Sequence, residues 1–388
     1  MNADIIHGDC IEVMRTMPDN SVDAIVTDPP YGLGFMGKKW DELPPGKEWA
    51  DECLRVLKPG GHLLAFGGTR TWHRLAVAVE DAGFEIRDSI AWMYGSGFPK
   101  SLDVSKAIDK SAGVAREIVG KKDRYRDGIE RTNLGATGGE FLGLANGVDA
   151  ITAPATEAAQ QWQGWGTALK PAFEPVVVAR KPFPGTVAGN VQTWGAGAIN
   201  IDSCRIGTAE ELRRPFGTPS SHVGQLQNLP KGELNTGSNL GRWPANVILD
   251  EAAADSLDQQ SEPFMHSAGR ARPDVGQYNN GGMFGLGGGK TPRLGDSGGA
   301  SRFFYVAKAP KKERPVVDGV AHPTVKPLAL MRWLVRLVTP AGGVVLDPFA
   351  GSGTTVEAAL LEGFQVIGIE REAEYLPLIQ ARVKRSAA

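Results

Sequence analysis

Asp28-Pro29-Pro30-Tyr31 is the densest piece of potential chemistry in the sequence. Its two prolines fix φ and remove two N–H donors, so carbonyls nearby must find an external partner. An Asp28 carboxylate beside a stiffened backbone carbonyl makes a pair of acceptors, matched to the two hydrogens of an –NH2 group. Tyr31 adds a flat face on which a base can stack, worth ~1–3 kcal/mol per base in single-strand binders. The exocyclic amine of a purine or pyrimidine is a poor nucleophile because its lone pair is delocalised into the ring. Hydrogen bonds to both of its hydrogens draw the nitrogen toward tetrahedral geometry and localise that pair for attack. Read blandly, Pro-Pro-Tyr is a rigid loop or a partner motif. The strand in front of it favours chemistry.

A second constellation lies at the other end of the chain. Val344-Val345-Leu346-Asp347-Pro348-Phe349-Ala350-Gly351-Ser352-Gly353-Thr354-Thr355 reads as strand, tight turn, helix. Glycines at 351 and 353 let the backbone turn sharply and approach a ligand where a Cβ would clash. Glu370 ends the next predicted strand, where a carboxylate can bind the hydroxyls of an adenosine ribose. By itself such a glycine pair is only a tight strand-to-helix turn. Val356 replaces the third glycine of a dinucleotide fingerprint and no lysine follows as in a P-loop. An adenosine-type cofactor without a pyrophosphate remains, and S-adenosylmethionine fits that description.

The elements that must position these residues alternate in type. Residues 4–7 read as a strand, 11–17 as a helix, 23–27 as a strand, and 48–57 as a helix whose Trp49, Cys53, Val56 and Leu57 share one face. That helix is expected to stop at the breaker cluster Lys58-Pro59-Gly60-Gly61, before a buried strand over 62–66, a helix over 72–82 and a strand over 86–94. Such alternation implies right-handed crossovers and a mostly parallel sheet. From about Gly95 it stops. A strand returns at 174–179, and a Gly-rich region with little period runs to about residue 300. The window 265–300 alone holds 11 glycines, which predicts a mobile segment. The alternation resumes with a helix opened by Pro327 and running to Val338, a strand over 344–346, a helix over 354–362, a strand over 365–370 and a helix over 373–384. Two halves of one α/β domain therefore sit at the two ends of the chain and must meet in one sheet.

Composition excludes several classes. A hydrophobic fraction of 41% and a charged fraction of 22% suit a chain that buries a sizeable core. No apolar run approaches the ~18 residues of a membrane span, and no secretory signal opens the chain. The expectation is a cytoplasmic protein without membrane contact. Three cysteines, Cys10, Cys53 and Cys204, stand far apart without a C-x-x-C pair, against a disulfide scaffold or thiolate zinc site. A net charge of −2 neither requires nor excludes nucleic acid, since only a local basic surface matters.

Taken together, Asp28-Pro29-Pro30-Tyr31 and Asp347-Pro348-Phe349-Ala350-Gly351-Ser352-Gly353-Thr354 resemble the DNA amino-methyltransferases, and their order resembles the beta class, in which the catalytic tetrapeptide precedes the cofactor glycines. The resemblance covers residues 1–98 and 300–385 well and 100–300 loosely. It implies a doubly wound α/β domain with a mixed seven-stranded sheet in circularly permuted order, its catalytic half over 1–98, a target-recognition insertion over 99–300 and its cofactor half over 301–388. Catalysis is implied for Asp28, Pro29, Pro30 and Tyr31. S-adenosylmethionine would contact Asp28, Asp347, Phe349, Gly351, Ser352, Gly353 and Glu370.

By the same resemblance, His7-Gly8-Asp9-Cys10 brings Asp9 to the cofactor's adenine, with Cys10 nearby; Asp9 can equally cap a helix. His322-Pro323-Thr324-Val325-Lys326-Pro327 resembles the element beside the methionine end. Thr324 and Lys326 then bind its carboxylate, or Lys326 is a solvated helix-start residue. Phe349 lies against the cofactor or in the core. Double-stranded DNA is the implied partner, with its target base flipped out of the duplex at a cost of a few kcal/mol, and relatives of this kind often form homodimers. The run Arg302, Lys308, Lys311, Lys312, Arg314 is the candidate phosphate contact. No metal cluster is visible, and a sulfonium donor needs none.

Competing readings fare worse. A cytosine-C5 enzyme needs a thiolate, commonly after proline, and none of the cysteines follows one. Protein-glutamine and RNA amino-methyltransferases usually place the cofactor glycines first. A DNA-binding module that has lost catalysis would show a damaged motif. Between amines, Asp28 leans toward adenine N6, with cytosine N4 kept open.

Overall fold

In the computed structural model the described residues are 2–34, 41, 44–97, 101–121, 150–207, 241–261, 299–308 and 313–387. Strand β1 (Ala3–His7) leads through α1 (Cys10–Thr16) to β2 (Val22–Thr27). Helix α2 (Lys47–Val56), β3 (Leu57–Phe66), α3 (Trp72–Asp81) and β4 (Glu85–Met93) complete the first half. After β4 come α4 (Val104–Ser111), β5 (Ile118–Lys121), β6 (Ala150–Thr152) and α5 (Glu157–Gln161). The chain continues with β7 (Phe173–Arg180), α6 (Val187–Trp194), β8 (Val247–Asp250), α7 (Glu251–Ser261) and β9 (Tyr305–Ala307). A small ribbon of β10 (Val316–Val317) and β11 (Val320–Ala321) precedes α8 (Leu328–Val338), β12 (Val344–Asp347), α9 (Thr354–Leu361), β13 (Gln365–Glu370) and α10 (Leu376–Ser386).

Two compact units result, one of residues 1–96 and 172–388, the other of residues 97–171. The insertion expected over 99–300 is thus divided, and most of its second part belongs to the larger unit. In the smaller unit β5 and β6 pair antiparallel, and the buried Asp109 carboxylate ties them to α4 and α5. It meets Arg116 Nη1 at 2.7 Å and accepts the Thr156 N–H at 3.0 Å and hydroxyl at 2.8 Å. The Gly-rich stretch 265–300, apart from its last two residues, lies outside the described residues, as do Lys311 and Lys312.

The larger unit is built on one sheet ordered β1-β13-β12-β2-β3-β7-β4-β8-β9. The seven strands expected from the resemblance are its first seven, side by side, and β8 and β9 extend the far edge. Both halves of the chain meet in this sheet: β1 runs parallel to β13, and β12 parallel to β2. Strand β2 is buried along its whole length, as a central parallel strand covered on both faces must be. Period-2 alternation sends Ile25, Leu63 and Ala65 to a face covered by Met14, Trp49, Cys53, Leu75 and Val79. Ala24, Val26, Leu64 and Phe66 face α8 and α9, packing with Leu330, Leu334, Val356 and Ala359. One polar side chain stitches the middle: buried Asp23 accepts the Val344 N–H at 2.8 Å and holds Lys58 Nζ at 2.6 Å.

The expected break at Lys58-Pro59-Gly60-Gly61 is instead part of β3. The pairing jumps from Val22 opposite Leu57 to Ala24 opposite His62, so the cluster is absorbed as a bulge. Gly60 makes this possible, with φ of 82° and no room for a Cβ, which would lie 2.3 Å from Asn190 Nδ2. Strand β7 is the exception in direction. It lies antiparallel between β3 and β4, so its first residues sit at the edge where every other strand of the sheet ends.

Candidate active site

Adjacent parallel strands release their loops side by side. Val345 of β12 pairs with Ala24 of β2 and Leu346 with Ile25, so the glycine turn and Asp28-Pro29-Pro30-Tyr31 leave neighbouring strands at the carboxyl edge, the usual ligand-binding edge of open α/β sheets. They line one cavity of about 380 Å3, within the ~300–1,000 Å3 range of small-molecule sites. Asp9, Cys10, Asp28, Pro29, Pro30 and Tyr31 reach it from the first half of the chain. Thr324, Lys326, Asp347, Phe349, Gly351, Ser352 and Glu370 reach it from the last.

Gly353 is not on that wall. It takes φ of 81° at the start of α9, where a Cβ would lie 3.0 Å from Ile379, so the fold accounts for the residue. Arg314 does line the cavity. Arg302 does not; it precedes β9 at the opposite edge of the sheet, where Nη1 donates to Gly299 O at 2.6 Å and the guanidinium stacks on Phe303. Lys308 follows β9 and is exposed, away from the cavity wall.

Around the tetrapeptide the geometry is tightly coupled. Tyr31 Oη lies 2.9 Å from Asp28 Oδ1 and 2.9 Å from Glu174 Oε2. Lys326 Nζ approaches Asp28 Oδ2 at 2.6 Å, Tyr31 Oη at 3.0 Å and Glu174 Oε2 at 3.2 Å. Lys326 is therefore no solvated helix-start residue: its side chain is 9% exposed, and its three protons face three oxygens. Burial alone would lower its pKa, but the Asp28 and Glu174 charges outweigh that and hold it above the ordinary lysine value. Burial, reinforced by both carboxylates, pushes Tyr31 well above the phenol range, so it remains a neutral donor.

The loop after Tyr31 is fixed by Asp41, which accepts the N–H groups of Tyr31 at 2.7 Å and Gly32 at 3.0 Å. Thr71 donates its hydroxyl to Tyr31 O at 2.6 Å. Asp41 and Glu174 escape a reading by local motif because tertiary folding brings them in. The available signal for Glu174 was an acidic residue opening the apolar run Pro175–Ala179.

On the cofactor side, Glu370 Oε2 accepts the Gly351 N–H at 2.7 Å and Oε1 the Glu372 N–H at 2.8 Å. Burial nonetheless pushes its pKa up to about 7. Asp347 is likewise pushed by burial to about 6, against hydrogen bonds that include the Thr27 hydroxyl at 2.7 Å. Asp9 caps α1, accepting from Ile11 N at 2.9 Å, and also lines the cavity, so both of its readings coexist. Phe349 is similarly shared, facing the cavity while packing 5.9 Å from the Trp49 ring. Burial and the Asp9 charge push the Cys10 thiol to about 12, leaving it unreactive. Gly351 takes φ of 52°, and a Cβ there would lie 3.2 Å from His322 Nε2.

A family model described as DNA methylase, for N6 and N4 amino-methyltransferases, matches residues 22–119 and 277–381. The chain belongs to this family. The DNA amino-methyltransferases take their methyl group from S-adenosylmethionine. Among curated relatives, the type II methyltransferase M.HindIII of Haemophilus influenzae is 23% identical over 95% of this chain and 90% of its own length. M.HpaI of Haemophilus parainfluenzae is 34% identical over 28% of this chain and 37% of its own. The crystal structure of M1.HpyAVI is similar with a TM-score of 0.42 and 16% identity, covering 98% of both chains. The cytosine-N4-specific PvuII DNA methyltransferase gives a TM-score of 0.42 at 14% identity, covering 98% of this chain and 86% of that one. No helix among the described residues is long and apolar enough to cross a membrane.

The cavity suits an adenosine-type donor. Glu370 keeps lone pairs for ribose hydroxyls after receiving two backbone N–H groups, and Gly351 leaves the backbone bare beside it.

Proposed function

We propose that this DNA amino-methyltransferase is site-specific and modifies the N6 amine of adenine in duplex DNA, with the target base rotated out of the helix. The observation that carries this reading is the shared cavity of Asp28, Tyr31, Gly351 and Glu370. When bound, S-adenosylmethionine supplies a methyl group already activated by its sulfonium. Glu370 and Asp9 hold the adenosine end, while Phe349 gives it an apolar wall. Thr324 is left for the methionine end, because Lys326 is committed to Asp28 and Glu174.

For the target, Asp28 and the rigid backbone at Pro29 accept the two amine hydrogens. Both contacts favour a nitrogen whose lone pair is localised and aimed at the donor. A preorganised acceptor pair costs no reorganisation at the moment of reaction. Tyr31 offers its ring to the base, and its ring position is fixed by the Gly68 backbone, where a Cβ would lie 3.1 Å from Tyr31 Cδ2. Arg302, Lys308, Lys311, Lys312 and Arg314 are proposed to contact DNA phosphates, and the chain is proposed to act as a homodimer.

Asp28 supports adenine over cytosine by its resemblance to the first tetrapeptide residue of adenine-modifying relatives. DNA incubated with the purified protein and cofactor, digested to nucleosides and analysed by mass spectrometry, should contain N6-methyldeoxyadenosine. N4-methyldeoxycytidine instead would reassign the base, and neither product would reject the activity.

A further inference from the structure

Glu174 holds a place in the Asp28 network that the tetrapeptide chemistry does not explain. It is the second residue of β7, the reversed strand, and lies opposite Trp92 at the carboxyl edge of its neighbours. Gly67 N donates to Pro175 O at 2.9 Å, which fixes the strand entry beside the end of β3. A carboxylate is thereby brought to the cavity by a rigid sheet rather than by a loop.

Proton counting gives it a task. The Tyr31 hydroxyl has one proton and two acceptors, Asp28 Oδ1 and Glu174 Oε2, each at 2.9 Å. The Lys326 ammonium has three protons, already directed at Asp28, Glu174 and the Tyr31 oxygen. If Glu174 were missing, the hydroxyl proton and the ammonium would both settle on Asp28. That is the carboxylate an incoming amine must use.

We infer that Glu174 is a positioning residue that draws the Tyr31 hydroxyl proton and part of the Lys326 ammonium onto itself, leaving Asp28 Oδ1 open to the target amine. This rests on the proposed role of Asp28 as amine acceptor. A single rotation of the hydroxyl about its C–O bond switches its partner from Asp28 to Glu174, with no movement of heavy atoms. Glu174 touches neither the donor nor the reacting nitrogen in this role; it acts through Tyr31 and Lys326.

The test is single-turnover methyl transfer at saturating cofactor and DNA. Glu174→Ala should slow it about 10- to 100-fold, the factor that one hydrogen bond to a charged group commands, with cofactor affinity unchanged. Glu174→Gln should return to within a few-fold of wild type, because its amide oxygen still accepts from the hydroxyl. In a Tyr31→Phe background, which has no proton to redirect, adding Glu174→Ala should cost much less than it does alone. An unchanged rate in Glu174→Ala, no rescue by Gln, or an equal cost in the Phe background would each overturn the inference. If the wild-type protein transfers no methyl to DNA, the amine-acceptor reading falls and this inference with it. If it does and Glu174→Ala keeps pace, the inference falls alone.

Discussion

Single residues carry the chemistry here, and two of them make separable predictions. Asp28→Ala removes one of the two proposed amine acceptors but leaves Lys326 paired with Glu174. Methyl transfer should drop by at least ~10²–10³-fold, the usual cost of one preorganised polar contact in a reacting site. Cofactor affinity, measured by calorimetry, should stay nearly constant. Glu370 predicts a pH dependence. Burial raises its folded pKa to about 7, above the ordinary carboxylate value, so the folded chain holds a proton that the unfolded chain has lost. Its contribution to stability is therefore full at pH below the ordinary value and is lost as pH rises to about 7. Cofactor affinity should move the other way, strengthening as pH rises through 7, because the ionised carboxylate is the better acceptor for ribose hydroxyls. A titration of binding against pH checks this, and Glu370→Gln should flatten it. At this scale the sequence was readable wherever a motif is local, as at Asp28–Tyr31 and Gly351–Glu370. Glu174 and Asp41 were not, because nothing near them in sequence announces a partner 143 or 10 residues away.

Elements decide whether those residues meet. The parallel pairing of β2 with β12 sets the distance between the two motifs, and Gly353 sets the angle at which α9 leaves the second. Gly353→Ala must adopt φ near 81° and press on Ile379, which predicts a loss of about 1–3 kcal/mol and a lower thermal midpoint, with the motif chemistry otherwise preserved. Most strands and helices of the two ends follow the expected alternation to within a residue or two. The failures have physical reasons. Lys58–Gly61 reads as a breaker, but a bulge with Gly60 at positive φ lets β3 run through it. Strands β8 and β9 have four and three residues, too short to show a period, and are held by their neighbours in the sheet. The last helix opens with a 3-10 turn at Ala373–Tyr375 and becomes α-helical with Pro377 in its first turn, where a missing N–H costs nothing.

For the whole molecule, DNA binding should weaken steeply with salt, as phosphate contacts release counterions. Replacing Lys308, Lys311 and Lys312 with alanine should lessen the slope of log affinity against log salt by about 1 for each residue that meets a phosphate, measured by fluorescence anisotropy. The joining of the chain ends in one sheet was legible from the two half-patterns alone, and so was the strand returning at 174–179, which is β7; the placement of residues 241–261 in the same unit was not, since β8 has only four residues and shows no period. β4 and β7 are antiparallel neighbours, and at their shared end Tyr94 N donates to Ala172 O at 2.9 Å. They form a hairpin whose turn has been replaced by residues 97–171. Closure entropy grows only slowly with the length of the excursion, so a hairpin of this kind can carry a long insertion at little cost to its pairing, while Glu174, two residues past Ala172, is held in register by the sheet.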